Sequence, residues 1–523
     1  MSFVFWLAVT TAVAQLLGNV QQNNLVPFSV SIDGTSLATQ LNLDANWRWL
    51  RYAPGGSSTT YSNCFTSDWV QQYCPDPITC ANQCALEGVP SSQLLSTYGI
   101  ISPGANSVTL KYVTGSNVGS RLFVMTPDGT AYQQFKGVNT QFSMTVDVSN
   151  IPCGVNGAVY FVNLDPSGRL GGANKAGPAR GTGYGDAQCA QVKFPFEFAN
   201  TNFTGSCAVE LDMWEANKYA TQMTAHPCSK VEERNYPCSG ASGNVCNINN
   251  FCDQAGAWYN PYAKGLTSFY GPGTNYTINT LLPFTVITQF ISSDNTSNGD
   301  LVAIARYYQQ GEKIIYGGTL TNASAEATNP YFAKYGGLYT VGQALKQGMS
   351  LILSLWDDTS VSMEWLDSTY GGIVRGPCPV GEGNPSIVRQ KYPNSQVVYS
   401  NVQFGPIQWN LTPMPTPAPV PTPAPVPTPV PAPAPSSCLP IYSQCGGQNW
   451  QGSTCCIDSV CVFSNPYYSQ CLPAHVPTPA PVPTPTPAPV PTPAPVPSPT
   501  PAPVPSPAPA PVPAPAPSCC CCC

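Results

Sequence analysis

Charge is what this sequence has least of. Only 9% of its 523 residues are Asp, Glu, Lys or Arg, against roughly 25% in ordinary domains. With 20 basic and 26 acidic side chains, a net charge of -6 and a pI near 5.0, no basic footprint for nucleic acid exists. Histidine is scarcer still, at two residues, His226 and His475. No Cys-x-x-Cys pair repeats at metal-ligand spacing, so zinc does not account for the 23 cysteines. After the first residues, no apolar run approaches the ~20 needed to span a bilayer. Glycine does not recur every third residue, which excludes a collagen helix. Long apolar stripes of 3.6-residue period are also scarce.

Proline, by contrast, is abundant and local. Of 58 prolines, 12 occupy every second position from Pro413 to Pro435, and another 22 comprise Pro473 and every second position from Pro477 to Pro517. Such stretches form neither sheet nor helix and read as extended, polyproline-like spacers. Aromatic residues, at 11%, argue against disorder elsewhere. The cysteines divide as twelve from Cys64 to Cys378, six from Cys438 to Cys471, and five in the terminal run Cys519–Cys523. The first two counts are even, as a disulfide framework in an oxidising compartment requires. Met1–Ala14 is an uncharged apolar run ending in Ala12-Val13-Ala14, which reads as a secretion signal. Sequons at Asn202, Asn275, Asn295, Asn322 and Asn410 agree with an exported glycoprotein. The expected layout is a signal (1–14), a large domain (15–411), a spacer (412–437), a stapled module (438–472), a second spacer (473–518) and a cysteine tail (519–523).

Within the large domain, short runs rich in β-branched and aromatic residues alternate with Gly, Pro, Asn and Ser. They are Ser107–Val113, Arg121–Met125, Ser143–Val148, Ala158–Leu164, Phe284–Phe290, Val302–Tyr308, Met349–Trp356 and Val397–Phe404. This pattern predicts an all-β fold, a sandwich of antiparallel sheets with long loops. The most chemical segment is Val209-Glu210-Leu211-Asp212-Met213-Trp214-Glu215. A strand buries Val209, Leu211 and Met213 and presents Glu210 and Asp212 on the other face. A helix would set Glu210 and Glu215 about 140° apart and gather nothing. Glu215 has the wrong parity for a regular strand, and a bulge after Asp212 restores it to the same face. Crowded acids raise one another's pKa, which suits a glycosidase needing one ionised and one protonated carboxyl. By itself the pattern also fits a solvated acidic face or a calcium site.

The surroundings decide. With Asp44-Ala45-Asn46-Trp47-Arg48-Trp49, Gly181-Thr182-Gly183-Tyr184, His226-Pro227-Cys228, Ser268–Gly273 and Leu355-Trp356-Asp357-Asp358, the chain from about Asn42 to Pro406 resembles glycoside hydrolase family 7. The resemblance implies a β-jelly-roll with a cleft, and a secreted cellulase acting by double displacement without metal or cofactor. Glu210 would be the nucleophile, Glu215 the acid/base, and Asp212 the partner that sets the nucleophile's ionisation. It also implies tryptophan platforms at Trp47, Trp49, Trp356 and Trp365, polar subsite residues at Tyr160, Asp186, Gln188 and Arg375, and an active-site histidine at His226. The disulfides it implies are Cys64–Cys84, Cys74–Cys80, Cys153–Cys378, Cys189–Cys207, Cys228–Cys252 and Cys238–Cys246. The short loop from Cys189 to Cys207 leans toward an open cleft and endo cleavage; a cellobiohydrolase is the alternative.

The cysteine island resembles the fungal-type family 1 cellulose-binding module through Tyr442–Gly447 and Asn465–Leu472. That implies a flat face of Tyr442, Tyr467 and Tyr468, with Gln444, Asn465 and Gln470 hydrogen-bonding beside it. The implied bridges are Cys445–Cys461, Cys456–Cys471 and, by remainder, Cys438–Cys455. The expected partner is cellulose, crystalline or single-chain, bound by a monomer; neither nucleic acid nor membrane is expected. A non-catalytic wall protein is the competing class, and it would have no use for Glu210 and Glu215.

Overall fold

Alternation of side chains along strands, read two residues at a time, organises this molecule. The computed structural model describes residues 16–17, 25–54, 62–66, 69–170, 174–189, 205–234, 236–238 and 251–408. In the cysteine island it describes 438–440, 443–447, 450, 452–457, 459–465 and 468–473. The leader, the first proline stretch, the second from residue 474 onward and the terminal cysteines lie outside these residues. The chain divides near Ala418 into a large and a small unit.

The large unit is built on β1 (Val26–Ile32), β2 (Thr35–Leu43), β3 (Ser120–Met125), β4 (Thr140–Asp147) and β5 (Val155–Val162). It continues with β6 (Glu210–Ala216), β7 (Thr221–His226), β8 (Ala257–Tyr259), β9 (Phe284–Ser292), β10 (Leu301–Gln310) and β11 (Lys313–Thr321). Helix α1 (Gly337–Gln347), β12 (Met349–Asp357) and β13 (Gln396–Pro406) complete it. One hydrogen-bonded path runs β8-β7-β6-β5-β12-β3-β2-β1-β13-β4-β9-β10-β11. Its neighbours are antiparallel except β1 with β13. All eight runs read from the sequence fall on strands. The reading missed β1, β2, β7, β8 and β11, and it missed α1. Thr, Gln and Gly dilute the β signal in β2, β7 and β11, Pro and Ser do so in β1, and β8 is only three residues long.

The first half of the path folds over the second. Phe161 of β5 lies 5.3 to 6.2 Å, centroid to centroid, from Phe135, Phe142, Phe290 and Phe404. Trp214 of β6 meets Phe284 at 5.8 Å and Tyr308 at 6.3 Å. Each such pair adds about 0.5–1.5 kcal/mol beyond its buried area. Helix α1 buries Leu338, Val341 and Leu345, one face at helical spacing, against this sandwich. On β3, β5 and β12 the inward set is Leu122, Val124, Val159, Phe161, Leu351 and Leu353. The alternate set, Phe123, Met125, Ala158, Tyr160 and Ile352, forms a second layer on the opposite, concave face.

The five implied disulfides of this unit that can be described are all present, Cys189–Cys207 among them. Cys246 lies outside the described residues, so the sixth pairing does too. Beside Cys153–Cys378, Asp367 is almost fully buried, and its Oδ2 accepts from Gly154 N at 2.8 Å and Asn217 Nδ2 at 2.6 Å. Burial pushes its pKa up to about 7 despite those donors. A carboxyl raised in the folded state favours folding most in acid, and that contribution is lost as pH rises from about 4 to 7. Asp367→Asn keeps one oxygen for both donors, so it should flatten the fall in stability over that window. Urea denaturation at several pH values checks this.

In the small unit, Gln444–Gly446 and Ser459–Asn465 flank Tyr468–Pro473 in a three-stranded antiparallel sheet. Cys438–Cys455, Cys445–Cys461 and Cys456–Cys471 staple it as the resemblance implied. Gln444 pairs with Gln470, and Asn465 with Tyr468, so these four positions stand together on the sheet. Tyr442 and Tyr467 lie outside the described residues.

Candidate active site

Strand β6 carries the chemistry because of one irregularity. Asp212 pairs with Thr224 and Glu215 with Gln222, three residues of advance against two on β7. Against β5 the slip falls between Leu211 and Trp214. The bulge expected after Asp212 is therefore present, and Met213 is skipped by the ladders on both sides. Val209, Leu211, Met213 and Trp214 all enter the core. Arg306 of β10, buried and stacked near Trp214, donates a hydrogen bond to the Met213 carbonyl left over by the slip. Glu210, Asp212 and Glu215 share the concave face, 5%, 6% and 7% exposed.

Each acid is held by neutral or basic donors. Glu210 Oε2 accepts from Ala187 N at 3.0 Å. Asp212 Oδ2 lies 3.0 Å from His226 Nε2. Glu215 accepts from Asn156 Nδ2 at 3.1 Å and from the Thr224 hydroxyl at 3.3 Å. Burial drives the pKa of all three well above the carboxylate range. The Asp212 charge raises Glu210 and Glu215 further, while His226 partly offsets this. For Asp212 the second cause is Asp186. Both glutamates thus feel the same Asp212–His226 pair, although they sit at opposite ends of the bulge.

These groups line a cleft of about 540 Å³. The structure places Trp47, Tyr160, Asp186, Gln188, Glu210, Asp212, Glu215, His226, Trp356, Trp365 and Arg375 on its lining. Trp356 and Trp365 stack 6.2 Å apart at 29°, and the Trp365 indole is fixed by Asp358 at 3.1 Å. Trp49 stands apart from this lining, with its indole donating to Asn63 and the Arg51 guanidinium 5.4 Å from its ring. Sequence reasoning missed Arg121, Gln222, Thr224, Gln254, Trp258 and Tyr370, which also line the cleft. Arg121 rests on the Tyr184 ring and is paired with Asp44 at 2.9 Å. Arg375 lies 4.0 Å from the Trp258 ring and donates to Gln222 at 3.4 Å. Alternation on β7 would have revealed Gln222 and Thr224 once His226 was placed facing the cleft.

A concave sheet with buried acids on its floor and flat rings along its walls defines a β-sandwich glycoside hydrolase. Residues 29–410 match the family model described as Glycosyl hydrolase family 7, and residues 441–468 match the Fungal cellulose binding domain. The chain belongs to glycosyl hydrolase family 7 and is a cellulase of that family with a cellulose-binding module. Among solved structures, it is similar to a cellobiohydrolase from Daphnia pulex at 35% identity and TM-score 0.69, covering 75% of this chain and 99% of that one. It is similar to the Humicola insolens endocellulase EGI at 30% identity and TM-score 0.66, with the same coverages. A Melanocarpus albomyces cellobiohydrolase complexed with cellotetraose matches at 31% and 0.65, again over 75% and 99%.

Proposed function

We propose that this enzyme hydrolyses the β-1,4-glucosidic bonds of cellulose with retention of configuration, by double displacement. The observation that carries this reading is the bulge of β6, which sets Glu210 and Glu215 on one buried face around a shared Asp212–His226 pair. Among the described residues Glu215 accepts only from neutral side-chain donors, Asn156 and Thr224, which suits the acid that protonates the leaving oxygen. Glu210 accepts a backbone N–H and lies nearer the imidazole by register, opposite His226, which suits the ionised nucleophile. Its attack forms a glycosyl-enzyme, and water activated by Glu215 then releases the sugar. Trp47, Trp356 and Trp365 offer stacking faces to glucose rings, and Trp49 extends that series outside the main cleft. Tyr160, Asp186, Gln188 and Arg375 supply hydrogen bonds. Export is supported by the disulfides and by the exposed sequons Asn275, Asn295 and Asn322.

Cleavage within the chain, rather than from its ends, is the second part of the proposal. It rests on the short Cys189–Cys207 segment, and on Thr369–Tyr370 and Ile373–Val374, a small exposed hairpin turning at Gly371-Gly372 just before Arg375. On soluble carboxymethylcellulose the expected result is a rapid fall in viscosity with few reducing ends formed. Nearly pure cellobiose with slow viscosity loss would assign the enzyme to the cellobiohydrolases instead. The tyrosine face of the small unit would hold the enzyme on solid substrate and raise the local concentration of cleavable chain.

A further inference from the structure

His226 is gripped from behind by residues just outside the cleft lining. Its Nδ1 lies 2.9 Å from the Asp253 carbonyl oxygen. A carbonyl only accepts, so Nδ1 carries a proton and Nε2 alone faces Asp212. Asp253 is itself fixed. Its carboxylate accepts from Asn329 Nδ2 at 2.8 and 2.7 Å and from Gly256 N at 3.1 Å, and its own N–H donates to the Pro227 carbonyl. Asn329 Nδ2 also reaches the Gly256 carbonyl at 2.9 Å, and Asn329 Oδ1 accepts from Tyr331 N. Asp253 and Asn329 are 3% and 5% exposed. Gly256, at φ +64°, lies flat against the imidazole: a β-carbon there would meet Cε1 and Nδ1 at 2.6 Å.

We propose that Asn329 is a positioning residue for catalysis, acting through Asp253 and Gly256 to hold His226 in one tautomer and one orientation against Asp212. This rests on the reading of Glu210, Asp212 and Glu215 given above. With Nδ1 committed to the backbone, Asp212 and His226 share a single proton along the 3.0 Å contact. The charge of that pair acts on both glutamates. The titratable groups around it are Glu210 and Glu215 on β6, Asp186 from the facing loop, and Asp253. An imidazole free to tilt would spread the shared proton over several geometries, so the ionisation of Glu210 would lose its definition.

The test uses Asn329→Asp, which keeps size but loses the amide donor, and Gly256→Ala, whose β-carbon crowds the ring at Cε1 and Nδ1, along with the Thr224 methyl. Each should lower kcat on the order of 10- to 100-fold with KM changed less than about two-fold, and should displace the pH profile of kcat. The double variant should fall little below the worse single one, because both act on the same ring. Asn329→Gln, which can restore a donor, should recover part of the loss. Thermal unfolding keeps a folding defect apart from a positioning defect. If kcat falls only in step with Tm while the pH profile stays put, or if the two losses multiply, the inference is wrong. The underlying site reading fails by a different sign, undiminished hydrolysis in a Glu210 variant.

Discussion

Glu210→Gln should abolish sugar release, lowering kcat by about 10⁴-fold or more, while binding to solid cellulose is retained. The amide cannot attack the anomeric carbon, yet it fills the same space and can still accept from Ala187 N. Stability should move the other way. Burial first, then Asp212 and Asp186, hold the Glu210 pKa well above its ordinary value. Its ionisation therefore opposes folding: the contribution is favourable in acid and lost as pH rises through the raised pKa. Glutamine never ionises, so the variant should unfold at a higher temperature than the wild type near pH 7, with the gap closing in acid. Reducing-sugar release and calorimetry at two pH values check both halves. Full hydrolysis by the variant would sink the mechanism and favour a different set of acids. In Glu210→Ala, azide should restore bond cleavage and yield a glycosyl azide of inverted configuration, since only one displacement remains.

The second large effect concerns Cys153–Cys378, which closes a loop of 225 residues. The logarithmic loop term gives roughly 5 kcal/mol at this length. Nested bridges of 18 and 24 residues shorten the effective loop too little to matter. Replacing both cysteines with serine should therefore cost about 5 kcal/mol, or about 5–10 °C in Tm for a domain near 400 residues. The damage should centre on the wall carrying Trp365 and Arg375. Cys378 N donates to the Asp367 carbonyl and the Ser368 hydroxyl to the Cys378 carbonyl, so the bridge pins that wall to the floor beside β5. Guanidinium denaturation of the double variant measures the effect, and a change below about 1 kcal/mol would contradict it.

Much of this architecture is legible in the chain because local pattern and tertiary role agree. The strands around Phe161 and Leu353 read as short continuous apolar runs and are buried on both faces, and the glutamate spacing announces both a strand and its bulge. The residues that escaped are those whose meaning is set by distant partners. Asn156, Asn329 and Arg121 look like ordinary polar side chains until the fold brings Glu215, Asp253 and Tyr184 against them. Trp258 carries no local sign that an arginine more than a hundred residues later will rest on it. Helix α1 escaped because its buried stripe is interrupted by Gly342 and Thr340, which weaken the period without breaking the helix. Residue type revealed which atoms could do chemistry; only the paired strands revealed which face they share.

The slip at Met213 has an implication for how this site is inherited. A strand has a phase, and one surplus residue advances it by half a period, so the side chains beyond point the other way. The distance in the genetic text between Asp212 and Glu215 thus matters as much as the two letters themselves. Met213 and Trp214 can drift among apolar residues that fill the same space, but losing or gaining one codon between the acids would turn Glu215 into the hydrophobic interior. All three carboxylates would still be encoded, and the enzyme would be silent.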